Sequence, residues 1–324
     1  MRQEIVLGID LGGTKLLIGE IDNNGNVLRS ERYPTPLLET KTPQTAINKV
    51  LQIVSDYLQK FSLHPGVDFS GIGMGMVGRV DPQNGQWLAI AEEDSAPASA
   101  AEILSKYYGV PAAIDNDVRC GLAAELVFGS EKGCKNLIYL NIGTGIAAGF
   151  IIDGKVLNGA HFFGGEIGHL KADPHSEAYC TCGERGCVEA IASGIGLHTR
   201  AERLSPDYPD TKLRKAPDAR RYQAKDIFAL YDEDALCRRL TDEAVAALAI
   251  TIGNLACFSD PEKIILGGGI MNNQMFFEHV MKSLPQNSTR FLQKKIVRSE
   301  LDCNYIGLIG AGALMIQHNI MSVK

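Results

Sequence analysis

The sequence predicts an α/β protein of two lobes, each with helices packed on a mixed sheet. Three observations carry this expectation. Short apolar runs alternate with helical patterns along the chain, the order of elements found in α/β folds. One layout occurs twice, at 5–30 and at 137–157: strand, Gly/Thr turn, strand, hairpin. This is a duplication at the level of pattern. A length of 324 residues also allows two domains, each with its own core. The expected division assigns 1–115 plus 305–324 to a smaller N-terminal lobe and 116–304 to a larger C-terminal lobe.

Residues 4–9 read as a buried strand, 10–15 as a glycine turn and 16–21 as a second strand. Asn23-Asn24-Gly25-Asn26 turns the chain into a strand at 27–29. Residues 42–61 have the period of an amphipathic helix, with Thr42 as cap and Pro43 at the first position, where a missing N–H costs nothing. A short apolar strand is expected at 71–76, a helix at 99–108, a strand at 110–114 and a helix at 117–127. Strands at 137–142 and 147–152 flank Gly143-Thr144-Gly145, and Asp153-Gly154-Lys155 makes a hairpin. The longest apolar run, 244–258, contains Thr251, Gly253 and Asn254. It is too short and too polar for a membrane span and reads as a buried helix.

The composition, 45% hydrophobic and 22% charged, is that of a soluble globular protein. A net charge of -6 argues against a nucleic-acid partner, because neutralising phosphates takes clustered Lys and Arg. The basic cluster Lys212, Arg214, Lys215, Arg220 and Arg221 is interrupted by prolines and reads as a solvated loop. The chain enters a strand-like run at once, with Asp10 breaking the apolar stretch, so no signal peptide and no membrane association are expected. Eight cysteines are few for a disulfide scaffold of this size, and three of them cluster with a histidine, as a metal site in a reducing cytoplasm would. Cys120, Cys134, Cys237, Cys257 and Cys303 are scattered and read mostly as small core residues.

Three glycine-rich turns each follow an apolar run. The first is Asp10-Leu11-Gly12-Gly13-Thr14-Lys15, the second Gly143-Thr144-Gly145 and the third Gly267-Gly268-Gly269. Paired glycines let backbone amides approach an anion closely, and a threonine adds a hydroxyl donor. Asp10 could hold a hydrated Mg²⁺, which keeps most of its waters and takes one or two carboxylates. Neither dinucleotide nor Walker glycine spacing is present. One such turn alone is as readily a tight hairpin; three in this arrangement suit the phosphates of a nucleotide.

Asp115-Asn116-Asp117 lies where a strand gives way to a helix, the end of an α/β sheet at which ligands bind. A carboxylate there could accept the proton of a substrate hydroxyl as it attacks phosphorus. Either aspartate could instead cap the helix. Position favours Asp117, but the residues alone leave Asp115 open.

His169, Cys180, Cys182 and Cys187 lie within nineteen residues. One imidazole and three thiolates form a closed tetrahedral set, suited to a structural zinc and leaving no position for a reacting water. That argues against a zinc-dependent hydrolase. His161 and His175 are competing ligands; His169 is preferred because the Gly164-Gly165-Glu166-Ile167-Gly168-His169 turn joins it to Glu166. Glu166 and Glu189 flank the knot and could accept hydroxyl groups.

Taken together these motifs resemble the ROK-family sugar kinases, a bacterial branch of the actin-like ATPase (ribonuclease H-like) superfamily that includes hexokinase. The resemblance covers almost the whole chain. It rests on 10–15, Asn116-Asp117, Gly143-Thr144-Gly145, 164–169, the cysteine knot with Glu189, Gly267-Gly268-Gly269 and a final Gly307-Leu308-Ile309-Gly310-Ala311. It implies a two-lobed actin-like ATPase fold with a structural zinc knot. Asp117 would be the catalytic base. Asn116, Glu166, His169 and Glu189 would hold sugar hydroxyls, with His169 also binding zinc beside Cys180, Cys182 and Cys187. Asp10, Gly12, Gly13, Thr14 and Lys15 would form the first phosphate loop, with Asp10 reaching Mg²⁺ through water. Gly143, Thr144 and Gly145 would form the second, and Gly267, Gly268 and Gly269 would lie against the adenosine.

Gly78-Arg79-Val80 stands where the family often carries a Pro-Gly-Pro-like turn. It resembles the turn of N-acetylmannosamine kinases, and it adds Gly78 and Arg79 to the expected sugar contacts. Family repressors carry an N-terminal helix-turn-helix; here the chain opens on the first strand, so no DNA-binding part is expected. The expectation is therefore an ATP- and Mg²⁺-dependent hexose kinase, cytoplasmic and homodimeric, acting at C6 of glucose. N-acetylmannosamine, N-acetylglucosamine and fructose are the alternative substrates. A non-catalytic sugar sensor is the alternative from another class.

Overall fold

The computed structural model describes residues 5–40, 42–90, 96–129, 133–216, 220–292 and 294–321. They form two compact units, one of 1–134, 158–164 and 300–324 and one of 135–157 and 165–299. The boundary falls at 134/135 rather than at the expected 115/116, because the helix after residue 116 packs within the first unit.

The first unit opens with an antiparallel meander of β1 (Ile5–Leu11), β2 (Lys15–Asp22) and β3 (Val27–Pro34). Five residues of β3 beyond Arg29 escape the sequence pattern because this edge strand is polar and exposed, with no buried face to set an alternation. Helix α1 (Pro43–Phe61) starts as expected: Thr42 and Thr45 cap each other reciprocally, and Pro43 occupies the first turn. It buries Ala46, Ile47, Val50, Val54, Tyr57 and Leu58, the spacing of one helical face. Next come β4 (Ile72–Met76), a hairpin of β5 (Arg79–Asp81) and β6 (Gln86–Ala89), and α2 (Ala100–Tyr108). Strand β7 (Ala112–Asn116) is followed directly by α3 (Asp117–Val127). β7 begins two residues later than the sequence suggests. Pro111 has no N–H to give the ladder, so pairing starts at Ala112 against Ile72. The sheet order is β3-β2-β1-β4-β7, with β1, β4 and β7 parallel.

The second unit repeats this plan. Strands β8 (Leu137–Ile142), β9 (Ile146–Ile152) and β10 (Lys155–Val156) form the meander. Helices α4 (Val188–Ala192), α5 (Gly194–Leu204), α6 (Ala224–Ala229) and α7 (Ala235–Ser259) follow. Then come β11 (Lys263–Gly267), α8 (Gln274–Ser283), α9 (Gln286–Thr289) and β12 (Ile296–Arg298). The order β10-β9-β8-β11-β12, with β8, β11 and β12 parallel, matches the first sheet strand for strand. The duplication read from the sequence is thus present in the topology.

Helix α7 is longer than its apolar run and would pass for a membrane span by length and composition, yet 67% of that apolar window is buried. Leu236, Leu240, Ala244, Leu248 and Ile252 sit in the core of the second unit. Its cap is Asp234, whose carboxylate accepts the N–H of Cys237 at 2.9 Å, the N–H of Lys212 at 2.6 Å and the Thr211 hydroxyl at 2.8 Å. Burial alone would raise this carboxyl's pKa, but those donors outweigh it and hold the pKa below the usual range.

The last helix, α10 (Ile306–Met321), returns to the first unit and packs on β1, β4 and α3. The approach is backbone to backbone. A Cβ at Gly73 on β4 would lie 1.7 Å from the Ala311 carbonyl oxygen, and one at Gly310 would lie 1.9 Å from that of Cys120 on α3.

Two consequences are measurable. Gly310→Ala meets a backbone atom rather than a movable side chain, so it should cost about 3 kcal/mol, the upper end for overpacking, read as a lowered urea midpoint. Asp234→Ala should cost about 1 kcal/mol through loss of the cap. Because the Asp234 pKa is lowered on folding, that difference is fully present above about pH 4 and disappears as the pH falls through the folded value, which unfolding curves at pH 7 and pH 3 would show.

Candidate active site and metal centre

The β7–α3 junction separates its two aspartates. Asp115, the penultimate residue of β7, is 7% exposed, and its Oδ1 accepts Arg119 Nε at 2.6 Å and the Asn116 N–H at 2.7 Å. Burial raises its pKa, and the Arg119 guanidinium opposes that shift. Asp117 is half-buried on the first turn of α3, and its Oδ1 accepts the N–H of Val118 at 2.9 Å. Asn116 caps α3 through Oδ1, which accepts the same N–H at 3.0 Å, while its Nδ2 donates to the Gly78 carbonyl at 3.2 Å. Asn116, Asp117 and Gly78 are therefore brought together. Gly78 has φ +96°, and a Cβ there would lie 2.1 Å from the Ala89 carbonyl, so only glycine fits this corner. Arg79 follows on β5, half-buried.

The first glycine turn is shorter than expected, because Asp10 and Leu11 belong to β1 and Lys15 to β2. The Gly12 N–H donates to the Lys15 carbonyl at 2.9 Å and closes it. Gly13 and Thr14 are exposed at the tip. Apart from its own residue and its two chain neighbours, nothing lies within 4 Å of where a Gly13 Cβ would be. Asp10 faces α10: a Cβ at Gly307 would lie 2.8 Å from its carboxylate. Desolvation raises the Asp10 pKa, and the Lys15 ammonium opposes the rise.

In the second unit, the Gly143–Gly145 turn joins β8 to β9 and is tied to the start of α5 by Gly194 N–H to Gly143 O at 2.9 Å and Ile195 N–H to Thr144 O at 3.1 Å. Glu189, in the first turn of α4, accepts the Ile146 N–H at 2.8 Å. A Cβ at Gly145 would lie 2.6 Å from that carboxylate. Gly267 ends β11, Gly268 turns the chain with φ +88°, and Gly269 is exposed with no protein atom within 4 Å of its would-be Cβ. The turn bearing Glu166 and His169 lies flat on β9. Gly165 has φ +105° and its Cβ would lie 2.0 Å from the Ala148 carbonyl; that of Gly168 would lie 2.3 Å from the Ile146 carbonyl. Glu166 precedes a short 3₁₀ turn, Ile167–His169.

That turn aims His169 at the cysteines. The ligand atoms of His169, Cys180, Cys182 and Cys187 all lie within 4.8 Å of one another. Cys182 and Cys187 sulfurs are 3.7 Å apart, and His169 Nδ1 is 3.4 Å from the Cys180 sulfur. A tetrahedral zinc with bonds near 2.3 Å sets sulfurs about 3.8 Å apart, so the donor set fits such an ion. His161 and His175 are exposed and outside the cluster. Backbone bonds shape the loop around it, among them Cys180 N–H to Glu184 O at 2.8 Å and Val188 N–H to Leu170 O at 2.9 Å.

Several contributors carried no clear sequence signal. Thr35 is buried and donates its hydroxyl to the Gly12 carbonyl at 2.8 Å. Trp87 is fully buried and donates Nε1 to the Val77 carbonyl at 3.1 Å. Arg119 reads as an ordinary helical cation until its partner is seen; only its spacing of four from Asp115 hints at the pair. Two members of the basic cluster are paired: Lys212 with Glu233 at 2.9 Å and Lys215 with Glu202. Of the scattered cysteines, Cys120 and Cys237 are buried but Cys257 is exposed.

The comparisons with known proteins agree with these motifs. The glucokinase of Halalkalibacterium halodurans is 27% identical over 327 residues, covering 98% of this chain and 96% of that one. The N-acetyl-D-glucosamine kinase of Vibrio atlanticus is 28% identical over 293 residues, covering 86% and 89%. A solved ROK family glucokinase from Streptomyces griseus, in complex with glucose and AMPPNP, matches with a TM-score of 0.76 and 25% identity over 97% of this chain and 99% of that one. The ROK family pattern itself covers residues 6–318, which include all the glycine turns, the Asp-Asn-Asp junction and the cysteine cluster, and the chain belongs to the ROK family.

Proposed function

We propose that the chain is an ATP-dependent sugar kinase that transfers the γ-phosphoryl group to the C6 hydroxyl of glucose. One observation carries the catalytic assignment. Of the two aspartates at the β7–α3 junction, Asp115 is committed to a buried pair with Arg119, while Asp117 stands half-buried on the first turn of the helix. In this reading O6 attacks phosphorus in line, its proton passes to Asp117, and the bond to the leaving ADP breaks. In this reading Asn116, Gly78 and Arg79 would contact the sugar, and Glu166, His169 and Glu189 carry the same assignment.

The phosphate-binding assignment is supported by bare backbone. Neither Gly13 nor Gly269 has a positive φ or a neighbour that a Cβ would strike. Glycine there is not explained by the fold, whereas close approach of a phosphate to main-chain N–H groups explains it. Gly12, Thr14 and Lys15 act with Gly13, Gly143-Thr144-Gly145 forms the second phosphate turn, and Gly267 and Gly268 lie with Gly269 beside the adenosine. Asp10 would hold Mg²⁺ through water, and that ion would neutralise charge developing on the phosphates. Zinc on His169, Cys180, Cys182 and Cys187 would lock the loop and supply no chemistry.

N-acetylglucosamine is the second candidate substrate, favoured because a relative named for that activity is as similar in identity, 28% against 27%. Coupled ADP release should show turnover with one sugar of a panel of glucose, N-acetylglucosamine, N-acetylmannosamine, mannose and fructose. Asp117→Asn should lower kcat about 1000-fold. Binding of a sugar with no turnover by wild type or variant would replace the kinase by a sugar sensor. For the metal, elemental analysis should find one zinc per chain, lost with a lowered Tm in Cys187→Ser. Wild-type protein free of zinc after growth in zinc-supplemented medium would refute that part.

A further inference from the structure

We infer that Arg119 is a positioning residue that sets the Gly78–Arg79 turn against Asp117; the inference rests on the kinase reading for its catalytic consequence. The turn is held at three carbonyls. Trp87 Nε1 donates to that of Val77 at 3.1 Å, Asn116 Nδ2 to that of Gly78 at 3.2 Å, and Arg119 Nη2 to that of Val80 at 3.0 Å. Two of these donors flank Asp117 in sequence. The same Arg119 fork turns back through Nε to Asp115 Oδ1, which also accepts the backbone N–H of Asn116. One guanidinium thus ties together the end of strand β7, the first turn of α3 and the β5 strand that carries Arg79.

Its chemistry suits positioning better than stability. The Arg119 side chain is 5% exposed and that of Asp115 10%. A buried ion pair is a poor stabiliser, since desolvating both charges offsets their attraction. A planar fork donating along two fixed directions is, however, what fixes one loop relative to another, and lysine cannot reproduce it. Small displacements of a reacting group are costly in rate: about 1 Å can remove a factor of about 100.

The test is Arg119→Lys, which keeps the charge beside Asp115 and loses the fork. Its sugar kcat/KM should fall about 10- to 100-fold while the KM for ATP stays within about twofold, since the glycine turns do not depend on this pair. Trp87 is the chain's single tryptophan, so its indole N–H gives one resonance in a ¹⁵N spectrum and reports the turn directly; it should shift. Should the lysine variant not fold, Asp115→Asn with Arg119→Gln removes both charges together and should show the same loss and shift. Wild-type kcat/KM with an unmoved indole resonance would overturn the inference, whatever happened to Tm. If the wild type turns over no sugar, the kinase reading fails by itself, and the indole resonance decides whether Arg119 sets the turn.

Discussion

The first unit depends on how closely α10 can approach it. At its two tightest points no side chain intervenes; the helix backbone lies on the backbone of β4 at Gly73 and on that of α3 at Gly310. The same helix brings Gly307 against the Asp10 carboxylate. One element therefore fixes the spacing of strands β1 and β4 and of helix α3, and so of both acidic residues to which the proposed chemistry is assigned. Apolar packing surrounds this contact, with Leu308 filling the gap beside Leu17 and Ile21. Dispersion and desolvation supply the energy, but the absence of two methyl groups supplies the geometry.

The second unit shows what duplication preserves and what it releases. Strand order and pairing are copied. The connection after the meander is not: where the first unit runs from β3 into α1, the second continues into the 165–187 loop, whose glycines lie flat on β9 and whose cysteines gather around His169. Such a loop has little apolar content of its own to bury, and a short irregular segment orders itself poorly without a staple. A cluster of four donors is an economical solution to that deficit.

Much of this was legible in the sequence because the signals were local. The α1 cap needs only Thr42, Pro43 and Thr45, and the glycine turns announce themselves by following apolar runs. The cysteine spacing selected its cluster, and geometry then excluded His161 and His175. What stayed hidden was non-local. Asp115 and Asp117 look alike until the arginine that neutralises one of them is placed in three dimensions. The β5–β6 hairpin has strands of only three and four residues, too short for periodicity to register, and its importance lies in three donors, two of which, Asn116 and Arg119, come from elsewhere in the chain. The boundary between the units was drawn too early for the same reason: α3 packs on β4 and β7 of the first sheet and against α10, which lies nearly two hundred positions later.

That last fact bears on how the protein is made. A ribosome delivers β1 well before α10, and domains tend to fold as they emerge. The second unit, spanning 135–299 apart from 158–164, can bury its own core while synthesis continues. The first cannot. Its parallel strands and α3 must wait, with the face that α10 will cover still open to water, until α10 has left the exit tunnel. The half of the chain made earliest is completed latest, and during that interval its exposed apolar surface is what a chaperone would meet.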